Sequence, residues 1–451
     1  MSAAMHICVI KPTMFGKQAK DALPPLLFAL LAPLTPPGVR LSFYDENIGP
    51  IPPDTCCDAV AISLDSFTAR RAYTLAAGFK ARGIPVILGG FHPTLCPDEA
   101  AQHADAVVIG EAEDTWGAVV DDLLSGTLKP RYVSSNSSHL AGVAFDYSVF
   151  AGKKYPSVCM VQFVRGCRFN CDFCSIHAFY RGGVRAFPAA TVAKAFKESP
   201  AKLFFFTDDN LFSNPAGLEE LLVLIAPLKR RWVCQISMDA ASDLALLQRL
   251  KSSGCVMVLM GFESLEEDNL RQMNKRANLG EAEGLEPAPA QPAASLAATY
   301  HTAIANVRQA GLMLYGTFVI GYDADTPQTA QQLAAFARKN GFAIANFNPL
   351  IPTPGTALYA RLERQGRLLY ERWWDSPNYR YGDTAFMPAG MSPQQLAESC
   401  RQARYSFYSL RGILRRLRGI NAKGLFNLWA YLLLNLVSRA SIHQKQGRRL
   451  G

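Results

Sequence analysis

The stretch VCMVQFVRGCRFNCDFC, residues 158–174, is the most informative segment of the sequence. An apolar, strand-like run leads directly into Cys167, Cys171 and Cys174, which have the spacing C-x3-C-x2-C. Three thiolates in one loop can bind three irons of a [4Fe–4S] cluster and leave the fourth iron open to another ligand. The alternative is a zinc site completed by His177 or Cys159, although the usual paired C-x2-C halves are absent.

Strand-like apolar runs alternate with helix-compatible sequence along most of the chain. The first series lies at 6–12, 41–47, 59–64, 85–90 and 106–111. The second series lies at 158–164, 202–207, 233–238, 256–261, 313–320 and 342–347. Such alternation is typical of parallel sheets covered by helices, so the class is α/β. It predicts a Rossmann-like N-terminal domain and a six-unit partial (β/α)6 barrel.

The predicted domain order follows from these two series and from the composition between and after them. It is a Rossmann-like domain at 1–130, a linker at 131–155, a barrel at 156–360 with a flexible Ala- and Pro-rich insertion at 277–298, and a helical, basic C-terminal domain at 361–451.

Composition and charge narrow the class of protein. Hydrophobic residues make up 49% of the chain, which is typical of a folded protein. The first ten residues, MSAAMHICVI, lack the pattern of a secretory signal, so we expect a cytoplasmic protein. In such a protein we do not expect the eleven cysteines to form disulfide bonds. The net charge of +9 comes from residues 401–451, which hold eleven Lys or Arg and no Asp or Glu. The near-neutral remainder disfavours nucleic acid as a partner.

Polar residues and glycines follow the predicted strands, where parallel sheets bind ligands. In the first domain they are Ser63, Leu64, Asp65, Gly89, Gly90, His92, Gly110 and Glu111. In the barrel they are Asp208, Asp209, Ser237, Asp239, Glu263, Ser264 and Gly321. Each has a plainer interpretation as well: Gly89-Gly90 suits a simple turn, and one acid of Asp208-Asp209 could cap a helix.

The cysteine segment resembles the cluster loop of the radical S-adenosylmethionine (SAM) superfamily, C-x3-C-x-aromatic-C, with Phe173 in the aromatic place. The later segments resemble its cobalamin-binding branch, which includes hopanoid methylases and the anaerobic magnesium-protoporphyrin ester cyclase. These segments are 88–113, 204–215, 235–240, 261–275, 316–326 and 348–356. The branch's D-x-H-x-x-G fingerprint is missing, because the loop at 12–25 has no histidine.

The resemblance implies three cofactors: a [4Fe–4S] cluster, SAM and cobalamin. It places Phe173 against the adenine and one of Asp208 and Asp209 near the methionine amino group, whereas His92 fits a hydrogen-bonding role better than a cobalt ligand. It implies that SAM is cleaved to a 5′-deoxyadenosyl radical and that methylcobalamin methylates an unactivated carbon. The resemblance also implies a small-molecule or lipid substrate and an electron donor such as flavodoxin or ferredoxin.

Two alternatives to this function remain open. A radical cyclase or rearrangement enzyme of the same architecture would use cobalamin without methyl transfer. A protein of another class, a non-catalytic iron–sulfur or zinc protein, would bind nucleic acid through the basic tail. A methylthiotransferase is disfavoured, since Cys8, Cys56, Cys57 and Cys96 lack the spacing of a second cluster.

The C-terminal tail predicts an interfacial helix. Arginines lie among apolar residues at 411–418, and a mostly apolar run follows at 425–437. As a helix that run would be about 20 Å long, short of the ~30 Å hydrocarbon core, so we expect residues 411–449 to lie on a membrane surface. The alternative is a helix buried against the barrel.

Overall fold

The computed structural model describes residues 5–19, 22–135, 140–281, 295–420 and 424–451. Its N-terminal sheet has six parallel strands in the order β2-β1-β3-β4-β5-β6. The strands are β1 Met5–Lys11, β2 Val39–Asp45, β3 Ala59–Ser63, β4 Val86–Gly89, β5 Ala106–Ile109 and β6 Arg131–Val133. The helices are α1 Leu26–Leu34, α2 Ala69–Lys80, α3 Phe91–Leu95, α4 Pro97–Ala100 and α5 Ala112–Ser125. The strand order reverses between β1 and β3, which opens a crevice at the carboxyl ends of the strands.

The second sheet also has six parallel strands, in the order β14-β13-β12-β11-β10-β7. They are β7 Val158–Val161, β10 Leu203–Phe206, β11 Arg231–Ile236, β12 Cys255–Glu263, β13 Met313–Ile320 and β14 Ile344–Pro349. A two-stranded ribbon, β8 Val164–Arg165 and β9 Arg185–Ala186, flanks α6 Ser175–Tyr180. The outer helices are α7 Ala189–Glu198, α8 Pro215–Ile225, α9 Met238–Ser242, α10 Leu244–Ser252, α11 Glu267–Gln272, α12 Leu296–Gln309 and α13 Thr329–Lys339. The predicted Rossmann-like domain and partial (β/α)6 barrel are confirmed.

Two predicted boundaries shift. Strand β6 falls inside the predicted linker, because residues 131–133 pair with β5 and extend the first sheet. Asn278 is the second residue of the predicted flexible insertion, yet it is fully buried and donates to the carbonyls of Gly261 and Phe262, at 3.0 and 2.9 Å. Residues 277–281 therefore belong to the barrel, and residues 282–294 of the predicted insertion lie outside the described part of the chain.

The C-terminal region is only partly helical. Its helices are α14 Ala357–Arg364, α15 Pro393–Phe407, α16 Leu410–Arg416 and α17 Leu425–Lys445. Residues 365–392 are irregular, contrary to the helical pattern expected from 361. Here Trp373 and Trp374 pack on the N-terminal domain, with ring centres 5.0 Å from Phe67 and 5.4 Å from His92 respectively. This segment ties the C-terminal region to the first domain.

Helix α17 carries its polar side chains inward. Its buried residues are Asn427, Tyr431, Asn435 and Ile442, whereas most of its leucines face outward. In the described part of the chain it is the one helix long and apolar enough to cross a membrane, and only 22% of its most apolar window is buried. One face of α17 packs against the barrel, where Asn435 donates to the Ala343 carbonyl at 3.1 Å, and the opposite face is exposed.

Candidate active site

The three cysteines of the loop lie between the β8 strand and helix α6, beyond the carboxyl end of β7. Burial raises the pKa of the Cys171 thiol to about 12, and the charges of Cys174 and Cys167 add to that rise. Burial also raises the pKa of Cys174, although backbone N–H groups at the start of α6 oppose it. The pKa rises of Cys171 and Cys174 both include a contribution from another cysteine of the loop, and binding a metal cation would offset the negative charge that burial disfavours.

A buried ion pair lies beside the cysteine loop. Lys275 Nζ lies 3.1 Å from Glu263 Oε1 and 6.0 Å from the centre of the Phe173 ring. Burial lowers the pKa of Lys275, but the charges of Glu263 and Cys171 outweigh it, and the net shift is upward. Glu263 has a φ of 62°, in the left-handed region that a non-glycine residue rarely adopts. Such strain concentrates at functional sites.

Adjacent carboxylates after β10 face different surroundings. Asp208 accepts hydrogen bonds from the backbone N–H groups of Phe163 and Val164, so it holds the turn that precedes the cysteine loop. Burial raises its pKa to about 8. Asp209 points instead toward the open space between the domains, and burial raises its pKa to about 6. The two acids therefore have separate roles.

Several other polar groups surround the loop. Asn210 Nδ2 lies 3.9 Å from Cys167 Sγ and 3.1 Å from Ser237 Oγ. Arg168 forms an ion pair with Asp239 and packs over the Phe169 ring, 5.1 Å from its centre. Among the described residues, Arg168 Nε, Asp239 Oδ1 and His177 Nδ1 are buried without a hydrogen-bond partner. Unpartnered buried polar atoms are costly, so this arrangement fits a polar ligand bound beside the loop.

Ser264 and Gly321 lie in a closed hydrogen-bond network next to the site. Ser264 Oγ accepts from the backbone of Glu266, and the Gly321 N–H donates to Asp325 at 2.7 Å. Asn269 links the two by donating to Asp325 at 2.9 Å. At Gly321, φ is 130° and an added Cβ would lie 2.9 Å from Leu396. These residues shape the strand ends rather than offer free ligand groups.

A cavity of about 360 Å³ lies between the two domains. Six predicted residues line it, namely Ser63, Gly89, Gly90, Gly110 and Glu111 of the first domain and Asp209 of the barrel. Gly90 has a φ of 106°, and a Cβ there would lie 2.7 Å from the Leu64 carbonyl oxygen. The far end of the cavity is apolar and enters the space between the sheet and helices α1 and α5. Its walls there are Val9, Leu27, Leu30, Leu31, Val108 and Trp116.

Leu64, Asp65 and His92 are not among the residues that line this cavity. Asp65 instead accepts from the Thr68 N–H at 3.1 Å. His92 is fully buried and bonds Ser66, Tyr73 and Glu99, at 3.0, 3.1 and 3.2 Å. The geometry therefore gives His92 a structural hydrogen-bonding role.

Buried charges join the domains beside the cavity. Arg165 of the barrel lies 2.9 Å from Glu111 and 2.5 Å from Glu113 of the first domain, and Arg185 also pairs with Glu111. The carboxylates are 3% exposed, so water screens these pairs poorly. They hold the first domain over the barrel at the cavity's edge.

The radical SAM superfamily profile matches residues 161–288. Bacteriochlorophyllide d C-8(2)-methyltransferase of Chlorobaculum tepidum is 30% identical over 369 residues, which are 77% of this chain and 78% of that protein. This chain belongs to the radical SAM superfamily. The C-12(1)-methyltransferase of the same organism is 28% identical to this radical SAM enzyme over 408 residues, 88% of this chain and 85% of that protein.

More distant relatives identify the branch of the superfamily. Hopanoid C-2 methylase of Rhodopseudomonas palustris is 23% identical, over 77% of this chain and 66% of that protein. The anaerobic magnesium-protoporphyrin IX monomethyl ester cyclase of Cereibacter sphaeroides is 21% identical, over 72% of this chain and 55% of that protein. The predicted branch, which includes both kinds of enzyme, is confirmed.

A solved structure shares the fold. TsrM of Kitasatospora setae, a radical SAM methyltransferase solved with cobalamin and a [4Fe–4S] cluster, superposes with a TM-score of 0.62 and 13% identity. The match covers 91% of this chain and 83% of that one, so both the first domain and the barrel are included.

The residues present fit the cofactors of the superfamily, a [4Fe–4S] cluster and SAM. Cys167, Cys171 and Cys174 would supply three thiolates to the cluster, and Lys275 would offset part of their charge. Cys159 does not suit a fourth zinc ligand, because its thiol donates to the Met160 carbonyl within β7, at 3.8 Å. His177 could complete a zinc site, but membership of the radical SAM superfamily favours a [4Fe–4S] cluster at these cysteines.

Sequence reasoning missed Lys275, Asn210 and Arg165. Lys275 ends the segment 261–275, which was matched as a whole, and Asn210 directly follows the two acids. Arg165 lies two residues before Cys167, but its ion-pair partners Glu111 and Glu113 are more than fifty residues away. The first two could have been found by their proximity to the quoted motifs, whereas Arg165 carried no signal in the sequence.

Proposed function

We propose that this radical SAM enzyme methylates an unactivated carbon of an apolar small molecule, with cobalamin bound between the domains. One observation carries the proposal. Thr207 and Asp209 line both the interdomain cavity and a smaller cavity of about 80 Å³ inside the barrel. A methyl donor in the first and the reacting carbon of a substrate that reaches into the second would therefore meet at these two residues.

The interdomain cavity suits a corrinoid. Its apolar end between the sheet and helices α1 and α5 is suited to a flat, apolar nucleotide base such as benzimidazole. Gly90 lets the backbone come close to a large ligand, because no Cβ fits there. No histidine is among the residues that line the cavity, so the protein offers no imidazole to the cobalt from these walls.

When bound, the cluster supplies reductive cleavage of SAM, and methylcobalamin supplies the methyl group. The chain's own residues hold and enclose these groups. The three cysteines anchor the cluster, Asp208 fixes the turn before them, and Arg168 and Asp239 offer polar atoms to the amino acid part of SAM. The Arg165 ion pairs keep the two domains closed and limit the access of water to the radical.

The inner wall of the barrel favours an apolar substrate. The cavity there is lined mainly by Phe205, Val233, Met257, Leu259 and Tyr315, with Gln235 as a polar contact. The relatives act on bacteriochlorophyllides and on hopanoids, as their names state. We propose a polycyclic substrate of that type, a tetrapyrrole or a polycyclic lipid, and a flavodoxin or ferredoxin as the electron donor.

We further propose that the enzyme is cytoplasmic and associates peripherally with the inner face of the membrane. The outward face of α17 supports this, since Leu425 and Trp429 are 88% and 60% exposed. An amphipathic helix at the interface would bury these side chains.

The test is anaerobic reconstitution with iron, sulfide and hydroxocobalamin, followed by incubation with reductant and SAM carrying a deuterated methyl group. We expect 5′-deoxyadenosine, together with S-adenosylhomocysteine that forms only when cobalamin is present. With a tetrapyrrole or hopanoid substrate, the product should gain one labelled methyl group. Formation of S-adenosylhomocysteine in the absence of cobalamin would contradict the proposal.

A radical cyclase is the second candidate, because the anaerobic cyclase is among the relatives. The same incubation separates the two functions. A cyclised product without label, formed together with 5′-deoxyadenosine, would favour the cyclase.

A further inference from the structure

A basic groove of about 670 Å³ lies at the amino-terminal end of the barrel strands. It runs between the start of β11, the end of α10 and the first turn of α17. Four cationic side chains line it, namely Lys229, Arg230, Arg231 and Lys251, and no acidic side chain is among the described residues that do so. Such a concentration of one charge attracts an anion.

The groove continues into an apolar surface. Leu425 and Phe426 line its edge, and the Arg231 guanidinium lies 4.1 Å from the centre of the Phe426 ring. Further along α17, Trp429 and the outward leucines extend this surface. Leu410 and Leu414 of α16 are 58% and 62% exposed as well. Cationic and apolar groups thus form one continuous face.

The inward face of α17 shows that its exposed leucines are not the result of loose packing. Asn435 accepts from Arg416 at 2.6 Å and donates to the Ala343 carbonyl at 3.1 Å. The Tyr431 hydroxyl donates to the Ile413 carbonyl at 2.7 Å. The helix is therefore held by specific polar bonds that orient its apolar side outward. An apolar face of this size on a stably held helix marks an interaction surface.

The cationic groove and the apolar surface together indicate which kind of partner binds here. A second copy of the chain would bring the same cationic groove to a two-fold interface, where like charges repel. Nucleic acid would satisfy the cations but has no apolar surface to cover the leucines. An anionic bilayer satisfies both requirements, since phosphates meet the cations and acyl chains cover the leucines.

We propose that the groove formed by Lys229, Arg230, Arg231 and Lys251 binds the phosphate of an anionic phospholipid while the outward face of α17 enters the bilayer. The inference rests on the proposed peripheral association with the membrane. It adds a specific headgroup site whose cationic residues belong to the barrel and not to the basic C-terminal tail. The groove lies at the amino ends of the strands, and the cysteine loop follows their carboxyl ends, about 20 Å away for a six-residue strand. Binding at this end tethers the enzyme and leaves the mouth of the barrel open.

The experiment measures sedimentation of the full-length, reconstituted enzyme with vesicles at low salt. One set of vesicles is phosphatidylcholine alone, and the other contains about one third phosphatidylglycerol. A triple variant, K229Q/R230Q/K251Q, removes three charges from the groove. Its matched control, K194Q/K197Q/K202Q, removes three exposed charges on and near α7.

We expect the enzyme to bind the anionic vesicles, the groove variant to bind them roughly tenfold to a hundredfold more weakly, and the control to bind like the unaltered enzyme. W429S should weaken binding as well. Equal binding of the groove and control variants, or equal binding to both vesicle types, would overturn the headgroup site. If the unaltered enzyme binds no vesicles, or light scattering shows a lipid-free dimer that W429S dissociates, the bilayer is the wrong partner.

The formation of 5′-deoxyadenosine without vesicles is measured in parallel. It should be unchanged in the groove variant, because the groove and the cysteine loop lie at opposite ends of the strands. Loss of vesicle binding with retained SAM cleavage therefore separates the headgroup site from the proposed catalytic function.

Discussion

At the scale of single residues, Lys275 decides the charge around the cysteine loop. In K275M the carboxylate of Glu263 would stay buried without its partner, which we expect to destabilise the fold by about 3 kcal/mol. Loss of the cation should also shift the cluster's reduction potential to more negative values, because the reduced cluster carries more negative charge. Urea unfolding and a redox titration followed by electron paramagnetic resonance measure the two effects.

R271M is the control for K275M, since Arg271 is 58% exposed and pairs with exposed acids. R271M should lower the free energy of unfolding by less than about 1 kcal/mol and leave the reduction potential of the cluster unchanged. Equal cluster reduction potentials for K275M and the unaltered enzyme would show that the Lys275 charge does not act on the cluster.

Replacement of Asp209 by asparagine should change the stability of the fold in a pH-dependent way. The folded-state pKa of Asp209 is raised to about 6, so burying its charged form costs stability above pH 6, and this cost fades as the pH falls toward 4. D209N should therefore stabilise the apoprotein by about 2 kcal/mol at pH 8 and by little at pH 4.5. Thermal unfolding at the two pH values checks the prediction, and a D209N that is less stable at pH 8 would contradict the assignment.

At the scale of elements, the end of β4 must let the chain pass close to the neighbouring strand. G90A would place a Cβ 2.7 Å from the Leu64 carbonyl and impose a positive φ on alanine. We expect a loss of about 2 kcal/mol in stability and weaker binding of hydroxocobalamin. G83A has the same kind of backbone but open space around it, so it should cost only about 1 kcal/mol and leave binding intact. Absorbance titration with the corrinoid distinguishes the two; equal affinities would place the ligand elsewhere.

At the scale of the whole molecule, the Arg165 ion pairs join the two domains. R165M would leave Glu111 and Glu113 buried with less compensation, at an expected cost of about 3 to 5 kcal/mol. The double variant R165M/E113Q should recover part of that loss, which a double-mutant cycle quantifies. Added salt should change the coupling little, because the carboxylates are buried. Limited proteolysis between residues 140 and 157 reports domain opening, and unchanged cleavage in R165M would show that other contacts hold the domains.

The sequence by itself determined the two parallel α/β units, the cysteine loop and the superfamily. These features are local: strand and helix periodicity depends on neighbouring residues, and the three cysteines lie within eight positions. The tertiary structure decided which strand-end residue faces a cavity. Asp208 turns to the backbone while Asp209 faces the cavity, and His92 is enclosed by Tyr73, Glu99 and Trp374. It also decided that Arg165 bridges the domains and that α17 faces its leucines outward. The direction of a side chain depends on partners that are distant in the sequence, and local sequence patterns do not predict those contacts.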